Sequence, residues 1–381
     1  MSGARSGGRS RFLESYFRLA PVTVPIFAAL VAVAVGSLFI IGAGGDPVVA
    51  YRALLVGAVG SPARVAATIA RSTPFIVAAL AVAFGFKAGL FNIGAEGQLL
   101  VGALSAAWAG TWSWLAGVPA LVAIPLLLLA GVVGGGFWGG IPGVLKARTG
   151  AHEVITTIML NAVAVAIAQW LIGSRQPVIL LDVTASTPHT RPIAASSRLP
   201  ELVAGTGLDV GIFLAIALCA TVWFVLARTT PGFEIRTVGL NPDAARYAGM
   251  GVNRTIVSVM ASSGALAGIA GAAAVMGSPS GYLTPGAFAG IGFDSIAVAL
   301  LARGNPFAVI PAALLWGALL SGAPLMQLQA DLSIDLVRIV QALIILFVAA
   351  DGIIRYLFRI RMPDVGLGEP ASGTFAKGWG A

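Results

Sequence analysis

The sequence has little charge for its length. Only 10% of its 381 residues are charged, whereas a soluble domain usually carries about a quarter. A chain of this length could form about two or three soluble domains, but so few charges could not cover their surfaces. Hydrophobic residues make up 58% of the chain, and the mean hydropathy is +0.93. The composition therefore excludes a soluble enzyme, a disulfide scaffold and a disordered chain, and it predicts a membrane protein.

Residues for metal binding, ATP binding and catalysis are equally scarce. The single cysteine, Cys219, excludes an internal disulfide, and with His152 and His189 it offers no metal-ligand spacing. None of the lysines lies in the G-x-x-x-x-G-K-[ST] motif of a P-loop, so ATP cannot bind in that way. The sequence shows no Ser/His/acid arrangement and no basic stripe with interleaved aromatic residues. We therefore expect no catalytic residue, no metal, no cofactor on this chain and no nucleic-acid partner.

Long apolar runs are what the sequence has instead. A run of about 18 or more apolar residues can cross the roughly 30 Å hydrocarbon core as a helix. Ten runs, one of them short, predict an all-α, polytopic integral membrane protein with about ten transmembrane helices. They cover residues 22–43, 73–91, 93–112, 118–144, 154–173, 210–227, 255–277, 288–302, 306–326 and 336–358.

The first apolar run has two interpretations. Small residues follow it, which allows a cleavable signal peptide. Its apolar stretch is longer than the about 7–15 residues usual in a signal peptide. The length favours a retained membrane anchor at residues 22–43.

Basic residues set the predicted orientation. With ten crossings both termini lie on one side, and cytoplasmic termini would place sixteen of the 23 lysines and arginines inside and the other seven outside. This bias follows the positive-inside rule, and it explains the net charge of +8. The predicted segments are a cytoplasmic arm at 1–21, a transmembrane domain at 22–360 and a cytoplasmic, disordered tail at 361–381. The transmembrane domain includes an outer loop at about 176–209, a cytoplasmic loop at about 228–254 and an amphipathic or re-entrant segment at 45–72.

An acidic side chain interrupts one apolar segment, in the sequence GLFNIGAEGQ at residues 89–98. An ionisable residue at the centre of a membrane helix costs about 2.5–3.5 kcal/mol on insertion scales. Glycines flank Glu96 and loosen the helix, and irregular backbone at membrane depth is tolerated only inside protein or beside a water-filled cavity. Asn92, Glu96 and Gln98 therefore predict a helix break or part of a lined path. In the alternative, Glu96 caps a broken helix or bonds to a neighbouring helix without touching substrate.

A second polar group lies further along the chain. Thr157 and Asn161 are four residues apart, so they share a helix face, and Gln169 is predicted near the same face. Uncharged amides and hydroxyls suit a neutral polyhydroxy substrate better than an ion. Hydrogen bonding between helices is the alternative interpretation.

The loop at 228–254 contains the signals of a short helix. Asn241 or Pro242 can start it, because proline is favoured in a first turn and the acidic Asp243 suits the amino-terminal dipole. Gly249 and Gly251 are predicted to end it. Such a helix would offer a docking surface, and a solvated loop is the alternative.

Four sequence segments together resemble a known family. The D-A-A-x-x-x-G pattern at 243–249 resembles the EAA-x-x-x-G loop of ABC importer permeases, with Asp in place of Glu. The segments GLFNIGAEGQ at 89–98, EVITTIMLN at 153–161 and VGLNP at 238–242 extend the likeness. Together they resemble the membrane subunits of bacterial nucleoside uptake systems, a branch of the permeases for simple sugars and branched-chain amino acids. The resemblance covers roughly residues 70–359.

The resemblance implies roles for two groups of residues. One group would form the coupling helix that docks on an ATPase subunit: Asp243, Ala244, Ala245 and Gly249. The other would lie at or near the translocation path: Asn92, Glu96, Gln98, Thr157 and Asn161. The shorter acid at position 243 departs from the family pattern and is expected to change how the coupling helix contacts its partner.

The resemblance also implies a function and a set of partners. The chain would be the permease subunit of an ATP-driven importer in the bacterial cytoplasmic membrane, most simply for nucleosides, and would work by alternating access. Its partners would be two ATPase subunits, a second permease subunit, a substrate-binding lipoprotein and the lipid bilayer, with ATP and Mg bound on the ATPase subunits. Ribose-like sugars and branched-chain amino acids are alternative substrates. A proton-driven secondary transporter using Glu96 is the alternative of another class.

Overall fold

The computed structural model describes residues 30–349 of the chain. The predicted arm at 1–21 and tail at 361–381 lie outside it. The all-α prediction is confirmed. The helices are α1 Leu30–Gly42, α2 Pro47–Val59, α3 Pro62–Lys87, α4 Ala95–Gly110, α5 Ala120–Thr149, α6 Glu153–Gly173, α7 Gly211–Arg228, α8 Thr230–Leu240, α9 Pro242–Tyr247, α10 Val252–Met276, α11 Ile291–Leu301, α12 Val309–Ala330 and α13 Ile334–Ala349.

Short elements fill part of the connections. Two 3-10 turns lie at Ser113–Gly117 and Ala195–Ser197. A two-stranded antiparallel sheet joins β1, Glu201–Val203, to β2, Leu208–Asp209. These elements stand outside the apolar runs, as expected for connections between membrane helices.

Six helices of the described region are long and apolar enough to cross a membrane: α3, α5, α6, α7, α10 and α12. The pair α1 and α2, bent by 119°, raises the number to seven if it counts as one broken span. The predicted count of about ten is therefore not confirmed. Two of the predicted spans are short helices, because α4 has 16 residues and α11 has 11, and 11 residues rise only about 16 Å. Two other predicted spans, 22–43 and 336–358, extend beyond the described residues.

The described residues fall into two compact units. One consists of residues 30–57 and 322–349, and the other of residues 58–321. In the first unit, α2 begins after a turn in which Gly44 has a φ of +83°, and the Asp46 carboxylate accepts the amide of Val48 at 2.7 Å. The predicted 45–72 segment is thus α2 followed by the first turns of α3, which starts at Pro62 behind the Ser61 cap.

Close backbone packing organises the second unit around α4, α5 and α10. Glycines on α5 face Gly264 and Gly268 of α10 so closely that an added Cβ would strike backbone. At Gly139 such a Cβ would lie 2.9 Å from Cα of Gly264, and at Gly135 it would lie 2.6 Å from Cα of Gly268. Small residues bring membrane helices together in this way. These glycines therefore allow α5 and α10 to pack backbone against backbone.

The segment at 176–209 folds back onto the loop after α10. The Ile193 amide donates to the Gly281 carbonyl at 2.8 Å, and the Leu199 amide donates to the Met276 carbonyl at 3.0 Å. The Arg198 guanidinium donates to the carbonyl oxygens of Pro279 and Ser280 at 3.2 and 3.3 Å. The 176–209 segment and the 228–254 segment lie at opposite ends of α7, whose 18 residues rise about 27 Å.

A tryptophan cluster lies where α4 ends. The rings of Trp108 and Trp112 are 5.2 Å apart, and those of Trp112 and Trp114 are 5.9 Å apart. Trp108 and Trp114 are each more than half exposed. This cluster is on the 176–209 side, because the Ala194 amide donates to the Gly110 carbonyl at 3.0 Å.

Candidate functional site

A break in the helical backbone separates α3 from α4. Helix α3 stops at Lys87, and Gly89 adopts a φ of +69°, which a residue with a side chain rarely takes. Residues 88–94 then run without helical structure, and α4 begins at Ala95. The predicted helix break around Glu96 is therefore confirmed, two residues before that side chain.

Three buried polar side chains close this break. The Asn92 amide group donates to Oε1 of Gln98 at 2.8 Å and to Oγ of Ser263 at 2.7 Å. Its oxygen accepts from the Gly94 backbone at 3.0 Å and from Nε2 of Gln98 at 3.1 Å. The Ser263 hydroxyl in turn donates to the Ala81 carbonyl at 2.7 Å. Buried polar groups of this kind must be paired, and these pair with one another.

Asn161 ties α6 to the same break. Its Oδ1 accepts from the Gly97 amide at 2.9 Å, and its Nδ2 donates to the Ile93 carbonyl at 3.0 Å. Thr157 is fully buried on the same face of α6, but its hydroxyl donates to the Glu153 carbonyl of its own helix at 2.7 Å. Gln169, predicted near that face, is exposed. The structure therefore groups Asn92, Gln98, Thr157 and Asn161, and leaves Gln169 outside.

Glu96 links the starts of two short helices. It lies in the first turn of α4, and its two carboxylate oxygens accept the amides of Gly290 and Gly292 at 2.6 and 2.7 Å. Those amides form the amino-terminal end of α11. A helix amino terminus has unpaired amides and a partial positive charge, which a carboxylate satisfies. The geometry thus matches the alternative in which Glu96 bonds to a neighbouring helix, here at the amino terminus of α11.

Two partners of this cluster were not predicted from sequence. Ser263 lies among small residues of α10, and nothing in the sequence pattern indicates that it forms hydrogen bonds to other segments. Gly290 and Gly292 join Glu96 across almost two hundred residues of chain, and no local spacing reveals such a contact. Only the folded arrangement of α4, α10 and α11 brings them together.

The 228–254 segment contains the predicted short helix. Helix α9 spans Pro242–Tyr247, and the Asn241 side chain caps it by accepting the amides of Asp243 and Ala244, both at 3.0 Å. Gly249 follows with a φ of +80°. The short-helix prediction is confirmed, including its start at Asn241 and Pro242.

The exposed side of α9 is polar and aromatic. Asp243 and Arg246 form an exposed ion pair at 3.1 Å, and Tyr247 is 94% exposed. On the other side, Ala245 is fully buried and packs with Val238 and Val252. The helix is therefore seated on the protein through one small residue and presents the rest of its surface outward.

Nothing in the described region is arranged to hold a metal. Among residues 30–349, no group of three or more His, Cys, Asp and Glu side chains lies close enough together to bind an ion. Lys146 forms an ion pair with Glu153 at 2.6 Å where α5 ends and α6 begins. This pair joins two helix ends.

Comparisons with known proteins point to one family. The guanosine ABC transporter permease protein of Bacillus subtilis is 41% identical over 342 residues, which cover 89% of this chain and 96% of the relative. The nucleoside ABC transporter permease protein NupB of Lactococcus lactis is 35% identical, with 94% of this chain and 97% of the relative covered. The glucose ABC transporter permease protein TsgB13 of Haloferax volcanii is 36% identical over 92% and 93%. No solved structure matches the chain.

The family match covers both polar features of the site. Residues 64–349 match the family described as the permease component of the branched-chain amino acid transport system, and this range includes the break before α4 and the helix α9. ABC permeases are transport components that work with ATPase and substrate-binding partners, and ATP is hydrolysed on the separate ATPase subunits. Together with the apolar helices, these matches make the chain a multi-pass membrane protein that belongs to this family of permease components.

Proposed function

We propose that this chain is the membrane-spanning subunit of an ATP-driven importer whose substrate is a nucleoside. The observation that carries the substrate class is the 41% and 35% identity, over nearly the whole chain, to permeases named for guanosine and for nucleosides. Buried amides and hydroxyls at the break suit the uncharged, polyhydroxylated chemistry of a nucleoside. Substrate moves inward by alternating access.

The assembly that we propose has four further chains. Two ATPase subunits, a second permease subunit that is identical or related, and a substrate-binding lipoprotein complete the transporter. The lipoprotein docks at the 176–209 segment on the outer face, and the ATPase docks at the 228–254 segment on the cytoplasmic face. The excess of arginine in the terminal segments supports cytoplasmic termini.

We further propose roles for the polar residues. The translocation path borders the break before α4 and is lined in part by Asn92, Gln98 and Asn161, with Thr157 beside them. Glu96 holds α4 and α11 together at that level. The polar atoms of the cluster bond to one another in the described structure, so the path opens there only when the break moves. Interrupted helices of this kind supply binding sites at mid-membrane in many transporters.

Helix α9 is proposed as the coupling helix. Asp243 and Ala244 face outward, Ala245 anchors the helix, and Gly249 ends it with its left-handed backbone. The exposed Tyr247 is the large side chain that this helix offers to an ATPase. Aromatic residues in such positions commonly dominate the energy of an interface.

The test is uptake by the complete transporter. The chain is co-expressed with its ATPase, second permease and lipoprotein, reconstituted in vesicles, and supplied with labelled guanosine, ribose or leucine. We expect ATP-dependent uptake of guanosine, with unlabelled nucleosides competing and ribose and leucine failing to compete. Uptake of ribose or leucine in place of guanosine would reassign the substrate to one of the alternatives. Uptake driven by a proton gradient without the ATPase would overturn the ABC mechanism.

A further inference from the structure

Two glycines bring the end of α8 against the end of α3. The Gly239 oxygen and Cα lie 3.2 and 3.4 Å from where a Cβ on Gly89 would stand. In the other direction, a Cβ on Gly239 would meet the Lys87 carbonyl oxygen and would lie 2.8 and 2.9 Å from C and Cα of Ala88. A side chain at position 239 does not fit. The two backbones are therefore in direct contact.

On one side, this contact connects rigidly to α9. Asn241 ends α8 and caps α9, so a single residue, Leu240, separates it from Gly239. The Asn241 amide donates to the Thr237 carbonyl at 3.0 Å, and its own carbonyl accepts from Ala245 at 3.0 Å. Val238 packs against Ala245 in one buried cluster. A displacement of α9 therefore moves Gly239.

On the other side, the contact connects to the polar cluster. The Leu90 amide donates to the Gly85 carbonyl at 3.1 Å, so the chain stays attached to α3 just after Gly89. Asn92 follows two residues later and holds Gly94 and Gln98. From there, Glu96 reaches α11 through Gly290 and Gly292. Movement at Gly89 therefore acts on the start of α4 and, through Glu96, on α11.

We propose that the backbone contact between Gly89 and Gly239 is the joint through which movement of α9 opens the break before α4. The inference rests on the proposed function, since it gives the ATPase a route from its docking helix to the path. Protein interiors are packed as densely as organic crystals and have low compressibility. A contact between two backbones, with no flexible side chain between them, passes on small displacements without absorbing them. The glycines are positioning residues for transport.

The test compares two alanine variants in the complete transporter. Gly239→Ala inserts a methyl group into the joint. Gly251→Ala is the matched control, because it lies in the same segment and its Cβ would approach Arg254 only to 3.6 Å, an ordinary contact. We expect Gly239→Ala to lower nucleoside uptake by at least about fivefold, the lower end of typical coupling between sites, while basal ATPase activity and assembly persist. Gly251→Ala should retain normal uptake as well as ATPase activity and assembly.

If the Gly239→Ala complex does not assemble, a second measurement tests whether the contact between Gly89 and Gly239 transmits the movement of α9. Hydrogen exchange is followed in the wild-type complex with and without a non-hydrolysable ATP analogue. We expect peptides covering 88–94 and 239–249 to change together. The joint is refuted if a transporting wild-type complex changes at 239–249 but not at 88–94, or if an assembled Gly239→Ala complex transports normally. A wild-type chain that binds no ATPase would instead refute the proposed function.

Discussion

Glu96 shows how one side chain can serve two helices. It stands in the first turn of α4 and receives two amides from the start of α11. A carboxylate suits this position because both of its oxygens accept. The same geometry weakens the idea of a proton carrier, since releasing the Gly292 amide would leave a buried donor unpaired at a cost of about 1–3 kcal/mol.

Replacing Glu96 separates these roles. Glu96→Gln keeps the shape but turns one acceptor into a donor that faces an amide, so we expect a lower melting temperature of the purified complex. A loss of about 1–3 kcal/mol is expected from one unsatisfied buried group. The residual uptake should still require ATP and should not respond to an imposed proton gradient. A Glu96→Gln complex that is fully stable but loses a proton-dependent uptake would contradict the capping role.

Asp209 gives a pH-dependent prediction. Burial raises its pKa above the ordinary 3.8, the Gly211 amide opposes that shift, and the nearby Glu201 charge adds to it. The folded chain therefore binds this proton more tightly than the unfolded chain. The stability from this group is complete below pH 3.8 and is lost as the pH rises through the folded pKa.

An uncharged replacement should therefore stabilise the protein at neutral pH. Asp209→Asn keeps an oxygen for the Gly211 amide and carries no charge, so its melting temperature should exceed the wild-type value at pH 7. The difference should shrink toward pH 3.8. Asp182→Asn is the control of opposite sign, because hydrogen bonds from Thr184 lower the pKa of Asp182. Equal melting temperatures for Asp209→Asn and wild type at pH 7 would contradict the reasoning.

At the scale of elements, the sequence predicted where apolar helices occur better than where each helix begins and ends. Apolar composition alone made α5, α6, α7 and α10 recognisable as spans. The run at 288–302 is recognisably short and the polar residues near Glu96 predict a break, but hydropathy does not show where α4 and α11 begin and end, because a backbone break needs no change in hydropathy. Helix α3 is instead longer than its predicted span, which began at residue 73. Its amino-terminal part, which contains Arg64 and Arg71, was not predicted as part of the helix. Arg71 donates to the Leu320 carbonyl at 3.1 Å, a partner that only the fold supplies.

Some polar residues of the site could be predicted from the sequence, and their partners could not. Asn92, Gln98 and Asn161 could be chosen from sequence because polar side chains in apolar runs stand out. Their partners Ser263, Gly290 and Gly292 could not, since a serine or glycine among small residues carries no signal. The cap of α9 was predictable because Asn241 acts on residues two and three positions away.

The cap of α9 can be tested as an element. Asn241→Ala removes the acceptor of two amides, which costs a helix about 0.5–2 kcal/mol. We expect α9 to fray and the purified chain to retain less ATPase subunit on co-purification. Asn253→Ala, exposed in the first turn of α10, is the matched control and should retain the normal amount. Equal retention by the two variants would argue against α9 as the docking element.

At the scale of the whole molecule, the two ends of α7 define two faces of the second unit. The 176–209 segment lies at one end and the 228–254 segment at the other, about 27 Å apart along the helix. The hydrocarbon core of a bilayer is about 30 Å thick. The two segments should therefore meet different compartments.

Cysteine labelling can test this sidedness. In a Cys219→Ser background, single cysteines at the exposed positions Ala204 and Ala248 are offered a membrane-impermeant maleimide in whole cells. We expect Ala204→Cys to react from outside and Ala248→Cys to react only after the cells are opened. Labelling of both positions from one side would contradict the placement of α7 across the membrane.

The tryptophan cluster at the end of α4 also allows the depth of this helix in the bilayer to be measured. Tryptophan rings gather at the headgroup level of a bilayer, so we expect Trp108 and Trp114 to lie at one boundary of the membrane. Helix α4 descends from there for 16 residues, about 24 Å, which leaves its first turn short of the opposite boundary. The indoles are thus intrinsic fluorophores at the expected level of that boundary. In a variant that keeps only these of the chain's eight tryptophans, quenching by lipids brominated at different acyl positions would report how deep the end of α4 lies.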